Sequence, residues 1–200
     1  MIISLLISLS CFSTAQPLGG STENEVGKFA PLGPLEGSLL FKAAVNVFGE
    51  YYSGLILIKE VTSDSAIHVV FLSELGLNLL DIAFFKEKIE VVSVQEFLNR
   101  PSLIKTIKND FQSLLLDLSQ VDKYKVEAKD DGVTEVLKFR YKSQRYTYHY
   151  MEIPGTIHIR KRKGLFGKVD FRISGQESRK IEIEHRGIRL KIDLRELTRL

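Results

Sequence analysis

The chain is poor in most of the residues that build covalent staples or chemistry. Its single cysteine, Cys11, excludes an intrachain disulfide framework and any cysteine-based zinc site. The four histidines, His68, His149, His158 and His185, are scattered through alternating segments, with no HExxH and no two at metal-ligand spacing. Each reads as an ordinary strand residue, and no metal is expected. There is no GxSxG, and Gly164-Leu-Phe-Gly167-Lys168 lacks the GxxxxGK[ST] spacing of a phosphate loop, so it reads as a hairpin turn. Without a catalytic constellation the chain is expected not to be an enzyme, and no cofactor is implied. Beyond residues 2–9 no run approaches the roughly 18 apolar residues that span a bilayer as a helix, so membrane contact is expected to be peripheral.

What is present is an average globular composition, 44% hydrophobic and 26% charged over 200 residues, enough for one domain with its own core. The net charge of +3 hides a polarity: from Lys138 to Leu200 there are 17 Lys and Arg against 7 Asp and Glu. Such asymmetry points either to an anionic partner surface or to a solvated strand face. The first eleven residues form an apolar run ending at Cys11 and read as an export signal. A cysteine after small residues there resembles a lipobox, which would leave Cys11 as the lipidated N-terminus. Ser13-Thr14-Ala15 offers ordinary cleavage instead, releasing a soluble periplasmic protein. Residues 12–35, with Pro17, Pro31, Pro34 and several glycines, read as a flexible linker, leaving 36–200 as the folded domain.

From Glu36 onward period-2 patterns dominate. Strands are expected at Leu39–Val47, Tyr51–Glu60, Ala66–Ser73, Leu77–Phe85, Lys88–Val94, Lys123–Lys129, Val133–Tyr141, Arg145–Ile153, Thr156–Arg162, Lys168–Ser174, Lys180–His185 and Ile188–Leu194. One segment breaks the pattern: between Gln95 and Leu118 apolar residues recur at helical spacing, with Pro101 marking the start of the main helix. A dozen strands in up-and-down order cannot stay flat. The expected fold is mainly β, an antiparallel barrel or half-barrel whose open side is plugged by the helix. Tyr146, Tyr148 and Tyr150 alternate beside the basic run Arg160-Lys161-Arg162-Lys163, a pattern that can stack single-stranded bases. The export signal argues against nucleic acid and for a partly buried tyrosine face, with the cations on a solvated edge or at lipid headgroups.

Three features together resemble the lipoprotein-localisation family of LolA and LolB. They are Ser10-Cys11, the segment from Phe41 through Phe48-Gly49 and Ser53-Gly54 to Ile58-Lys59, and the hairpin Val70-Phe71 through Glu74-Leu75-Gly76 to Asp81-Ile82. The likeness covers residues 36–195 and implies a half-barrel of about eleven strands that carries lipoprotein acyl chains in an apolar cavity. Cys11 favours LolB, the lipidated member, placing the protein at the outer membrane facing the periplasm with a LolA-like carrier as partner. The resemblance also implies that Leu75 is an exposed membrane-contacting tip. Candidate cavity residues are Phe41, Val45, Leu57, Val69, Ile104 and Phe111, although several strands are apolar on both sides and either parity can face inward. Arg160, Lys161, Arg162, Lys163 and Lys168 are candidates for contact with an anionic surface. The alternative is a structural or interaction lipoprotein whose sheet closes on a packed core, with no transfer activity.

Overall fold

The computed structural model describes residues 27–33, 35, 37–63, 65–118, 121, 123–129, 134–141, 144–151, 156–163, 167–175, 178–186 and 188–199. Cys11, the apolar leader and the first part of the expected linker lie outside the described residues. Five strands come first: β1 (Ser38–Val47), β2 (Glu50–Val61), β3 (Ala66–Ser73), β4 (Asn78–Phe84) and β5 (Ile89–Val94). A single 3-10 turn at Glu96–Leu98 leads into helix α1 (Pro101–Leu114). Seven strands follow: β6 (Tyr124–Ala128), β7 (Thr134–Tyr141), β8 (Gln144–Met151), β9 (Thr156–Lys163), β10 (Gly167–Ser174), β11 (Lys180–Arg186) and β12 (Leu190–Arg199).

All twelve strands join one antiparallel sheet in the order β5-β4-β3-β2-β1-β12-β11-β10-β9-β8-β7-β6. It is open, with β5 and β6 as its edges. The meander is therefore sequential except where β1 pairs with β12, which brings the first and last strands together at the middle. Because side chains alternate across a strand, β1 turns Leu39, Phe41, Ala43, Val45 and Val47 inward, and β11 turns Ile181 and Ile183 inward. Gly54 is required where β2 meets β3: a Cβ there would lie 2.0 Å from the Leu72 carbonyl oxygen.

Helix α1 starts on Pro101, whose missing N–H costs nothing in the first turn. It buries Leu103, Ile107, Phe111 and Leu114. These residues recur every three or four positions, so they form one stripe. The stripe meets β1–β4 and β12 on one flank, while the helix is hydrogen-bonded to β9 and β11 on the other, so the sheet wraps around it.

The folded part begins earlier than the linker reading placed it. Phe29 and Leu32 are buried in the core, Phe29 meets Tyr150 edge-on, and Lys28 pairs with Glu135. The Leu32 carbonyl accepts a 2.6 Å hydrogen bond from Arg179, whose guanidinium also grips Glu196 through Nε–Oε2 at 2.7 Å and Nη2–Oε1 at 3.1 Å. Composition rich in proline and glycine concealed two apolar anchors in a segment with no period.

Candidate functional site

Three surfaces around α1 set what the molecule can do. The first is an apolar cavity between α1 and β1–β4, lined by Val45, Ile56, Val69, Phe71, Ile107 and Phe111 among others. Its volume is about 30 Å³, room for no more than a few water molecules. In this conformation that cavity offers little free space.

The second lies on the opposite flank of α1, a pocket of about 160 Å³ lined by Lys105, Thr106, Asn109, Asp110, Gln144, Lys161, Val169 and His185. Asp110 and His185 form a buried pair, Nε2 to Oδ2 at 2.7 Å, with side chains 1% and 6% exposed. Burial pushes the Asp110 carboxyl above its ordinary range, against the hydrogen bond from His185 and the charges of His185 and Lys161. Lys161, only 4% exposed, donates from Nζ to the Asn109 carbonyl and to Ser113 Oγ, both at 2.9 Å. Tyr148 donates to the Ser113 carbonyl at 3.2 Å. Burial raises the pKa of both Tyr146 and Tyr148, which keeps them neutral hydrogen-bonding groups.

The third surface is a rim. The β1–β2 turn, the β3–β4 turn, the connection from β5 to α1 and the β11–β12 turn all fall at one end of the antiparallel sheet. Contacts tie them together: Phe48 N donates to Arg189 O at 2.8 Å, Ser53 Oγ bonds Glu74 at 2.7 Å, Tyr52 stacks on Phe97, and Arg100 sits over the Phe48 ring. Six of the eight exposed large hydrophobic residues among those described lie on this rim: Phe48, Tyr51, Leu75, Leu77, Phe97 and Ile188. Such concentration is unusual for a surface facing only water. Leu75 is 89% exposed. Phe48 also holds a left-handed φ of 53°, followed by Gly49 at 92°. That turn geometry suits Asn-Gly, and a phenylalanine in it costs about 1–2 kcal/mol.

The expected site residues separate. Val45, Val69 and Phe111 line the apolar cavity. Phe41 is buried in the surrounding core, and Ile104 packs against that core partly exposed, so neither is a lining residue. Leu57 faces away from the helix, opposite Leu40 and Val70 on the outer surface, because β2 is apolar on both faces and Ile56 and Ile58 take the inward positions. The basic cluster also divides. Arg160 points outward, with Nε 3.3 Å from Asp170, whereas Lys161 points inward and is buried, so it is not a surface contact. Arg162, Lys163 and Lys168 hold strand positions at the rim end of β9 and β10; their side chains lie outside the description. Asp110, Lys161 and His185 did not emerge as a group from the sequence, yet their signal is local. Asp110 stands three residues after Ile107 and four before Leu114, inside the apolar stripe. Lys161 and His185 continue the inward parity of Ile157-Ile159 and Ile181-Ile183.

Among the described residues no helix is long and apolar enough to cross a membrane, and no three metal-ligating side chains come together. No family model matches the chain, and no curated protein matches it.

Proposed function

We propose that the chain is a peripheral lipid-handling protein of the LolB kind, which docks its rim on a membrane and shelters acyl chains of lipoproteins beneath α1. In this reading it is anchored through Cys11 at the outer membrane, faces the periplasm and receives clients from a LolA-like carrier. The observation that carries the proposal is the gathering of exposed apolar side chains on one rim, with Leu75 at the tip of the β3–β4 turn. Fully burying one such side chain in an apolar phase is worth about 1.5–3 kcal/mol, so even partial insertion of several gives useful affinity. Arg100, Arg186 and Arg189 lie at the same end, where cations near anionic headgroups add about 1 kcal/mol each. Since the apolar cavity holds only about 30 Å³, loading requires α1 to move off the sheet.

The test is Leu75→Glu in the full chain. Its melting temperature stays within a degree or two of the parent, because an 89% exposed side chain contributes little to the core, while co-sedimentation with anionic vesicles falls. Unchanged vesicle binding would remove the docking role, and a large loss of stability would show Leu75 to be structural. The small volume of the apolar cavity favours a second reading, an interaction lipoprotein with a packed interior and no cargo. Under that reading the parent takes up no fluorescent fatty acid.

A further inference from the structure

We propose that the pocket on the second flank of α1 is a binding site for a phosphate-class oxyanion, with the Lys105 and Lys161 ammonium groups and the His185 imidazole as its donors. Three positions that the periodicity of α1, β9 and β11 assigns to the interior carry Asp110, Lys161 and His185 instead of aliphatic side chains. Replacing such buried ions with well-packed apolar residues is often stabilising, so packing alone gives no reason to keep them. They also do not fill their space: they border about 160 Å³, room for several water molecules.

The charge of that space favours an anion. Asp110 is the sole acid among the lining residues, and it is engaged by His185 at 2.7 Å. Against it stand Lys105 at the mouth and Lys161 and His185 within, so that two lysines face one carboxyl among the lining residues. The Asn109 side-chain amide adds a neutral donor, whereas the Thr106 hydroxyl is committed to the Ser102 carbonyl at 2.8 Å. Gln144 lines the same pocket, and its Oε1 is buried without a hydrogen-bond partner. An oxyanion bearing a hydroxyl or ammonium neighbour would satisfy both features, the oxygens taking the cations and the neighbour donating to Gln144. Gln144 opens β8, while Lys161 and His185 stand near the ends of β9 and β11. All three are at the rim end of the sheet, where a lipid headgroup would arrive. The oxyanion can be the phosphate of such a headgroup or a free phosphate ester; only the lipid source rests on the membrane reading.

The experiment titrates the full chain, at low ionic strength, with inorganic phosphate, glycerol 3-phosphate and a short-chain phosphatidylglycerol below its micellar concentration. Affinity and the His185 imidazole resonances are followed together. Phosphate and glycerol 3-phosphate are expected to shift His185 and to compete with the lipid. Lys105→Glu, a change at an exposed helix position, should weaken them about tenfold by reversing one charge at the mouth. Lys161→Met should abolish binding; if it does not fold, the Lys105 variant still decides. Absence of phosphate binding by the parent, or equal binding by Lys105→Glu, overturns the site. Lipid binding that neither phosphate nor glycerol 3-phosphate displaces overturns the headgroup source and leaves the acyl-chain reading standing. Phosphate binding without uptake of lipid or fatty acid keeps the site and removes that reading.

Discussion

The interior of this protein is decided by a few residues that break its own apolar rule. Asp110 and His185 hold α1 to β11 through one 2.7 Å contact. Removing a single partner leaves the other buried polar group without its hydrogen bond, so Asp110→Leu or His185→Leu should each cost about 1–3 kcal/mol in urea unfolding. The double variant should recover much of that loss, and a double-mutant cycle showing no coupling would mean the pair is incidental. On the outer face His149 and His158 stand opposite each other across β8 and β9. Burial lowers both imidazole pKa values; Lys129 and Arg160 assist at His149, and Arg172 and Arg160 at His158. The folded chain thus binds these protons only at lower pH than the unfolded chain, whose imidazoles titrate near 6.5. Below that value the unfolded state holds more protons, so stability falls as pH falls. Urea midpoints from about pH 7.5 to about 5.5 should decline in the parent and decline less in the His149→Gln, His158→Gln variant.

At the scale of elements, the β1–β2 hairpin spends stability on an aromatic at its tip. Phe48 sits at a left-handed φ beside Gly49, a place where asparagine is at ease. Phe48→Asn should therefore stabilise the domain by about 1 kcal/mol while weakening vesicle binding; a destabilised variant would mean that the contact with Arg100 outweighs the strain. The strands themselves were largely legible, since alternation and turn residues are local properties, and α1 announced itself through Pro101 and the recurrence of Ile107, Phe111 and Leu114. What escaped was non-local. Nothing in Leu40 or Thr198 marks them as neighbours, because pairing of β1 with β12 is settled only when the sheet assembles. The inward face of β2 was ambiguous for a different reason: Leu55 and Leu57 are as apolar as Ile56 and Ile58, and a one-residue choice flips them all. Lys161 was hidden by its neighbours, since a run of four cations looks solvated although alternate members of a strand face opposite ways.

For the molecule as a whole, the question is whether the packed interior can open. Phe111 fills the apolar cavity from the helix side, so Phe111→Ala should cost about 3–5 kcal/mol of stability. If α1 is a movable cover, the same variant should bind a fluorescent fatty acid more tightly than the parent, because room that the ligand had to create is already there. Uptake absent from both would favour the packed interaction protein. The seam between β1 and β12 carries one last consequence. Val47 and Leu190 pair although 143 positions separate them, so during synthesis β1 must wait on the ribosome with one side unclaimed until β12 emerges. An export pathway that passes the chain unfolded and lets the seam close afterwards would spare it that exposure, whereas folding during translation would present β1 to every neighbouring nascent chain as an open template.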